Sequence, residues 1–298
     1  MDADMPLADV LLVGGGHAHV AVLADWIRQG VPQGARAVLL TPEPTLRYSG
    51  MVPGWLAGQH GLDDGLVDLV ALAARTGVDL VLDRCAALDP EARRVTTAGG
   101  RQIAFTIASF DTGGVGQGAA LLGDDPRIVE VRPIGAFVDR LAGLRASRQG
   151  LMRVMIAGGG AGGVELAFGL RNLAGATPRP EVTLVTGAGG LLPGFADGVR
   201  RRVAKALARQ GVAVIAEDAR FEGGVLMAGE QSLEPADLII AATGSAAPGW
   251  VRASGIATDG VGFLSVDAHH RSPSHPHIFA AGDVAVRTDR PLAHAGVH

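Results

Sequence analysis

Two stretches carry the residue types and spacing needed to hold a phosphate. VMIAGGGAGGVELAFGL, Val154 to Leu170, contains Gly158, Gly160 and Gly163 as a complete GxGxxG, and VLLVGGGHAHVAVL, Val10 to Leu23, repeats the pattern with His19 in the third place. The chemistry is diphosphate binding: free N–H groups and the helix dipole point at the anion, and the first two glycines let it reach the backbone. The third glycine serves helix-to-strand packing, so His19 crowds the packing position rather than the phosphate position. Taken alone, Gly14 and Gly16 leave two readings open, a nucleotide site or a tight strand-to-helix turn. Neither copy has the acid expected to hold ribose hydroxyls at the end of the second strand. Thr41 and Thr186 stand there, with Glu43 as a possible substitute in the first copy. At the second, a missing acid removes a repulsion against a 2′-phosphate. Arg200 to Arg202 would attract such a group or, with Lys205 and Arg209, form a solvated helix face.

The elements that must position these turns follow from periodicity. The pattern predicts a strand over 10–13, a helix with Val20, Leu23 and Ile27 on one face ending near Gly30, and a strand over 35–41, which together make a βαβ unit. A helical region over 66–75, a strand over 78–82 and a small antiparallel meander with a Gly-Gly turn come next. The unit then repeats: strand 153–157, a helix with Leu166, Leu170 and Leu173, and strand 181–186. A helix over 199–209 has Asp197 as its expected N-cap, and strands are expected over 236–245 and up to Gly282-Asp283.

Composition bounds the partners. With 298 residues, 48% of them hydrophobic and 19% charged, the chain suits two domains with substantial cores. A net charge of −4 argues against general attraction to nucleic acid or anionic membrane. The start, MDADMPLADV, is acidic where a secretory signal is basic, and no run reaches the ~18 apolar residues of a membrane span, so any membrane contact is expected to be peripheral. Cys85 is the single cysteine, which excludes a dithiol or a thiolate cluster within this chain, and Lys205 is the single lysine. Neither His17/His19 nor His275/His277 has ligand spacing or acidic companions, and no metal is expected.

Beside the two turns, HIFAAGD (His277 to Asp283), FDTGG (Phe110 to Gly114) and AATGS (Ala241 to Ser245) resemble the two-dinucleotide-domain flavoproteins of the pyridine nucleotide-disulfide oxidoreductase superfamily. GGGHAHV, RYSGMVPG and VRPIGAF are similar to a non-dithiol branch found fused to selenide water dikinase and related to type II NADH dehydrogenases. The resemblance runs from about Val10 to the end of the chain. It implies an α/β fold with two Rossmann-like three-layer domains, the second inserted into the first, and small antiparallel meanders. The FAD-binding domain would cover 1–118 and 249–298, and the NAD(P)H-binding domain 119–248.

Both turns are then expected sites. By the family pattern Gly14 and Gly16 hold the FAD diphosphate, Thr112 and Gly113 line the turn near the flavin nucleotide and Asp283 bonds the ribityl chain, with Gly15, His17, Thr41 and Gly282 as further cofactor-binding residues. Gly158, Gly160 and Gly163 hold the NAD(P)H diphosphate, with Thr186 and Gly244 at the same site and Glu165 near the nicotinamide. For Asp283 a strand-end turn, and for Glu165 first-turn helix stabilisation, are the structural alternatives. Arg47 and Tyr48, the sole tyrosine, fall in a loop that the resemblance brings near the flavin ring, to set its electrostatics, contact the acceptor or anchor the loop. Cys85 aligns with a strand residue and reads as structural, which argues against disulfide and sulfide:quinone reduction.

The implied function is an FAD-dependent NAD(P)H oxidoreductase that passes electrons to a quinone or another small acceptor without a dithiol, in the cytoplasm or peripherally at the inner face of a membrane. The alternative is a dinucleotide-binding sensor or regulatory module without turnover, or an inactive fragment of such an enzyme. The oligomeric state is left open. The resemblance further predicts that a C-terminal interface domain, and the helix aimed at the flavin's pyrimidine side, should begin where the chain stops, at RPLAHAGVH. Weak FAD retention and little turnover are the expected consequences.

Overall fold

Strands buried on both faces of a parallel sheet read as nearly unbroken apolar runs, and the segments around Leu11 and Leu39 have that character. A computed structural model describes residues 5–147 and 150–290. The chain divides into two compact units. One comprises Leu66–Val115 with the described parts of Met1–Arg47 and Ala246–Val297; the other comprises Tyr48–Gly65 and Gly116–Ser245.

The first unit contains β1 (Met5–Val13), α1 (His17–Gln29), β2 (Ala37–Thr41), α2 (Leu69–Thr76), β3 (Asp79–Leu82), β4 (Cys85–Asp89), β5 (Arg94–Thr97) and β6 (Gln102–Phe110). They form one sheet in the order β3-β2-β1-β6-β5-β4, to which strand Ile278–Ala280 adds by pairing with β6. β3, β2, β1, β6 and the late strand run parallel, whereas β4 and β5 form the antiparallel meander. The near half of β6 pairs with β5 and its far half with Ile278–Ala280. Because Val13 and Ala280 are both in register with Phe110, three segments leave the sheet at the same end: the first glycine turn, Asp111–Gly113, and Gly282-Asp283. Leu12, Leu23, Leu39 and Leu69 form the core under α1 and α2, while Leu11, Val13, Leu40 and Phe110 face the opposite core.

The second unit contains β7 (Ile128–Glu130), α3 (Ile134–Ser147), β8 (Arg153–Ala157), α4 (Ala161–Arg171), β9 (Glu181–Val185), α5 (Asp197–Arg209), β10 (Ala213–Ile215) and β11 (Leu238–Ala241). Its sheet is wholly parallel, in the order β7-β11-β8-β9-β10. Strands Ala219–Glu222, Val225–Ala228 and Gln231–Ser232 make a separate antiparallel sheet.

Several boundaries differ from those the periodicity predicts. The stretch Tyr48–Gly65, expected with the first domain, belongs to the second unit. The reason is packing: Val52, Trp55 and Leu56 are buried in the same core as Leu166 and Leu170 of α4. Gly169 faces this stretch without a side chain, and a Cβ there would stand 2.9 Å from the Pro53 carbonyl. The helix expected over 66–75 begins three residues late, because Leu66–Asp68 pairs as a strand with Thr45–Arg47 and Asp68 caps α2 by accepting from the Ala71 amide at 2.9 Å. Asp197 is not an N-cap. It lies in the first turn of α5, behind Ala196, and bonds Arg200. α3 is a helix that the sequence pattern did not delimit. Residues 291–298, where an interface helix was expected to start, lie outside the described residues, as do residues 1–4 of the acidic start.

Candidate functional site

In the second unit, β8 ends at Ala157 and α4 begins after Gly160, its N-cap, which has φ −71° and ψ 179° and no capping side chain. Gly158 adopts φ +133°, a conformation that L side chains rarely adopt, and a Cβ on it would run into the Ala242 carbonyl. A Cβ on Gly163 would collide with the Gly158 carbonyl, so this third glycine allows α4 to lie close on the turn. Around Gly160 the situation is opposite: an added Cβ would meet nothing within 4 Å. The turn therefore presents an uncapped helix N-terminus to open space, as an anion requires.

The rest of the second cradle comes from its neighbours. Thr186 is buried, its hydroxyl donating to the carbonyls of Gly187 and Ile215 at 3.3 Å. Leu192 donates its amide to the Gly159 carbonyl at 2.8 Å, and Arg200 donates to the Leu191 carbonyl at 3.0 Å. Arg200 thereby braces the loop beside the turn. Thr243, in the AATGS segment after β11, has a buried hydroxyl with no hydrogen-bond partner, alone in this among the buried side-chain polar atoms of the described residues. Such a group costs stability unless something completes it. Gly244 next to it is exposed, with φ +88°. Glu165 is exposed and is the fifth residue of α4, beyond the first turn where dipole stabilisation acts.

The first turn has the same backbone. Gly14 takes φ +97° and donates its amide to the Leu40 carbonyl at 2.7 Å, and Gly16 caps α1 with φ −70° and ψ 174°. Gly15 is closed in by Leu69 and Thr41, whose hydroxyl donates to the Glu43 carbonyl at 3.2 Å. His19 is 2% exposed. Its Nδ1–H donates to the Gly14 carbonyl at 2.6 Å, and its Nε2 accepts from the Ser109 hydroxyl at 2.9 Å, so the neutral imidazole is fully satisfied. The ring thus bridges the helix, the turn and β6 where a glycine would let them touch.

Asp111, directly after β6, completes this arrangement. Its carboxylate is 7% exposed and accepts from the amides of Ala18 at 2.9 Å and His19 at 3.4 Å. A Cβ on Gly16 would strike that carboxylate, and one on Gly282 would stand 2.6 Å from it. Burial pushes the Asp111 carboxyl above the usual carboxylate range, against the pull of His19, the two amides and His17. Burial likewise holds the His19 imidazole below its usual value, against the attraction of Asp111 and the Gly14 carbonyl. Asp283 is half-buried in the short 3-10 turn Gly282–Val284, and Thr112 and Gly113, the latter with φ +66°, follow Asp111. His17 is exposed at the start of α1.

The structure thus gathers Gly14, Gly15, Gly16, His17, Thr41, Thr112, Gly113, Gly282 and Asp283 at one sheet end of the first unit. It gathers Gly158, Gly160, Gly163, Thr186 and Gly244 at one sheet end of the second. Arg47 lies in strand Thr45–Arg47 of the first unit and Tyr48 in the second, where its amide donates to the Gly65 carbonyl at 3.2 Å. Cys85 is buried in β4, and burial pushes its thiol up to about 12. His275 and His277 bond Glu91 and the Pro90 carbonyl. Asp111 and Thr243 were not foreseen as site residues. An acid closing an apolar strand is a readable signal for Asp111, whereas Thr243 has none, because its orphan hydroxyl exists only in three dimensions.

Comparisons with known proteins agree with this architecture. The family model described as pyridine nucleotide-disulphide oxidoreductase matches residues 8–298. A search of curated proteins found no match. Among solved structures, the chain is similar to reduced CoADR-RHD from Bacillus anthracis (TM-score 0.78, 19% identity), covering 95% of this chain and 52% of that one. It is similar to the ferredoxin reductase of the CYP199A2 system from Rhodopseudomonas palustris (TM-score 0.74, 22% identity, 93% and 68% covered). It also resembles the NADH-bound water-forming NADH oxidase from Lactobacillus brevis (TM-score 0.78, 20% identity, 93% and 62% covered). The chain spans about half the length, 52%, of the Bacillus anthracis protein. With two sheets in each of which a central strand between parallel neighbours runs into a glycine turn, and a family match along nearly its whole length, the chain belongs to the pyridine nucleotide-disulphide oxidoreductase family.

Proposed function

We propose that this chain is the two-nucleotide part of an FAD-dependent NAD(P)H oxidoreductase. NAD(P)H binds at the Gly158–Gly163 turn and FAD at the Gly14–Gly16 turn with Asp283, Gly282, Thr112 and Gly113. The observation that carries the reading is the Gly160 cap, an open helix end beside the unpartnered Thr243 hydroxyl. When bound, the flavin supplies hydride acceptance from the reduced nicotinamide. The chain's own part is binding and orientation: α4 and α1 offer N-terminal amides to the diphosphates, Thr243 offers its hydroxyl, and Asp283 accepts a hydrogen bond from the ribityl chain. Glu165 and Tyr48 are assigned to the nicotinamide and to the flavin or acceptor, with Arg47 beside the flavin.

Electrons leave to a quinone or another small acceptor. A sulfide:quinone oxidoreductase from Aquifex aeolicus lies among the similar folds, at 19% identity. Sulfide oxidation has no support from Cys85, which is buried and held in the thiol form. No helix among the described residues is long and apolar enough to cross a membrane, so contact with a membrane acceptor would be peripheral.

The test is anaerobic titration of the FAD-loaded protein with NADH and with NADPH while following flavin absorbance. Bleaching by at least one nucleotide is expected, and removal of FAD by Asp283→Ala on gel filtration is the companion result. A protein that binds both nucleotides yet is never bleached would instead be the sensor without turnover.

A further inference from the structure

The two helix caps differ in one place. Gly16 and Gly160 have nearly the same φ and ψ, but the space over Gly160 is open whereas the space over Gly16 holds the Asp111 carboxylate. That carboxylate already accepts from the second and third amides of α1 and lies against Gly282. On the reading above, this is the position of the FAD diphosphate. An anion therefore resides where a dianion must bind.

The groups around Asp111 offset its burial only in part: His19, the two amides and His17 pull its carboxyl down, and burial outweighs them. From α1 it faces His19, whose two nitrogens are satisfied as the neutral ring, and the exposed His17; from the last turn Asp283, a second acid, stands next to Gly282. Like charges in a site of low effective dielectric repel strongly, and the least costly relief is a proton. A protonated carboxyl also gains a donor: its O–H can face a phosphate oxygen while its other oxygen still accepts from Ala18.

We propose that Asp111 sets the affinity of the first turn, and that a dinucleotide diphosphate binds there together with one proton, taken from solvent onto the Asp111 carboxyl. The proposal rests on the assignment of FAD to the first turn.

Calorimetric titration of the FAD-free full chain with FAD, in two buffers of different ionisation enthalpy, reads the proton directly. Net proton uptake on FAD binding is expected at a pH where the free protein holds Asp111 as the anion, approaching one proton per FAD, with affinity falling by up to about tenfold per pH unit as pH rises. Asp111→Asn should abolish both the uptake and the slope. Asp111→Ala, which empties the position as at Gly160, should do the same and bind FAD more tightly than the parent at pH 9. NADH binding at the second turn, measured on the same samples, certifies the fold and should show no such slope. FAD binding without proton uptake by the parent overturns the inference alone, as does uptake that persists in Asp111→Asn, which would assign the proton to another group. If NADH binds but none of the three proteins binds FAD, the assignment of the first turn falls, and the inference with it.

Discussion

Gly16 and Gly160 cap helices of 13 and 11 residues with the same extended backbone, after strands that each lie between two parallel neighbours. One cap opens to space and the other to a buried carboxylate. The difference teaches that the glycine pattern encodes the path of the chain, not the vacancy above it. In the second turn Gly163 gives close contact of helix and turn, and nothing else enters. In the first, His19 replaces that contact with two hydrogen bonds, and Asp111 reaches α1 from 92 residues away. His19 and Asp111 act as a pair: the ring spaces helix from strand, and the carboxylate then satisfies the amides beside the gap.

The sharpest way to break the comparison is Gly160→Val. Its Cβ meets no protein atom and its backbone is ordinary, so the fold should be unaffected. The diphosphate, however, would lose its approach to charge-assisted amide bonds commonly worth about 1.5–3 kcal/mol each. NAD(P)H affinity should fall by about a hundredfold or more while flavin content and thermal stability stay at parent values. The matching change at Gly16 should instead perturb folding, because its side chain would strike Asp111. Calorimetry with NADH and a thermal melt on both variants decide this. Equal loss of stability in the two would show that the caps do not differ as described.

Much of this is legible in the sequence. β8 occupies 153–157 as the apolar run predicts, α1 ends at Gln29 with Gly30 as its cap, and both turns lie where the glycines put them. Less legible was anything fixed by contact between distant segments. Tyr48–Gly65 joins the second unit through Trp55 and Leu56 packing on α4, and no local pattern records that choice. His19 was visible as a departure at the packing position, but its meaning needed Ser109 and Asp111, which follow it by 90 and 92 residues. Thr243 looks like any threonine after a strand until its hydroxyl is found without a partner.

That hydroxyl gives the next test. Thr243→Val keeps the shape and removes an unsatisfied polar group, so stability should be unchanged or slightly raised. If the nucleotide completes Thr243, NAD(P)H should bind about tenfold more weakly, roughly 1.4 kcal/mol, and Thr243→Ser should restore most of it. FAD binding at the first turn should not respond to either substitution. A Thr243→Val protein that binds NADH like the parent would leave the orphan hydroxyl a structural cost with no ligand to explain it.

The smallest expected effect concerns the first turn without any ligand. Burial raises the folded-state pKa of Asp111 above its unfolded value, so the folded chain holds this proton more tightly. The stability it contributes is complete below the unfolded carboxylate value, about 3.9, and is lost as pH rises through the folded one. His19 has the opposite sign. Burial depresses its folded pKa, so its contribution is complete above about 6.5 and is lost as pH falls through the folded value. Asp111→Asn removes the first dependence and, with it, the attraction that partly offsets the burial of His19. The variant should match the parent below about pH 4, exceed it increasingly as pH rises through the folded-state value of Asp111, and keep a constant lead of on the order of 1 kcal/mol above it, while both proteins weaken at low pH as His19 is forced to charge. Hydrogen exchange of the β1 amides reports opening of that unit without involving the other. A constant gap between variant and parent across pH would mean that Asp111 is already stabilised as the anion by α1. The two caps would then differ in occupancy but not in charge.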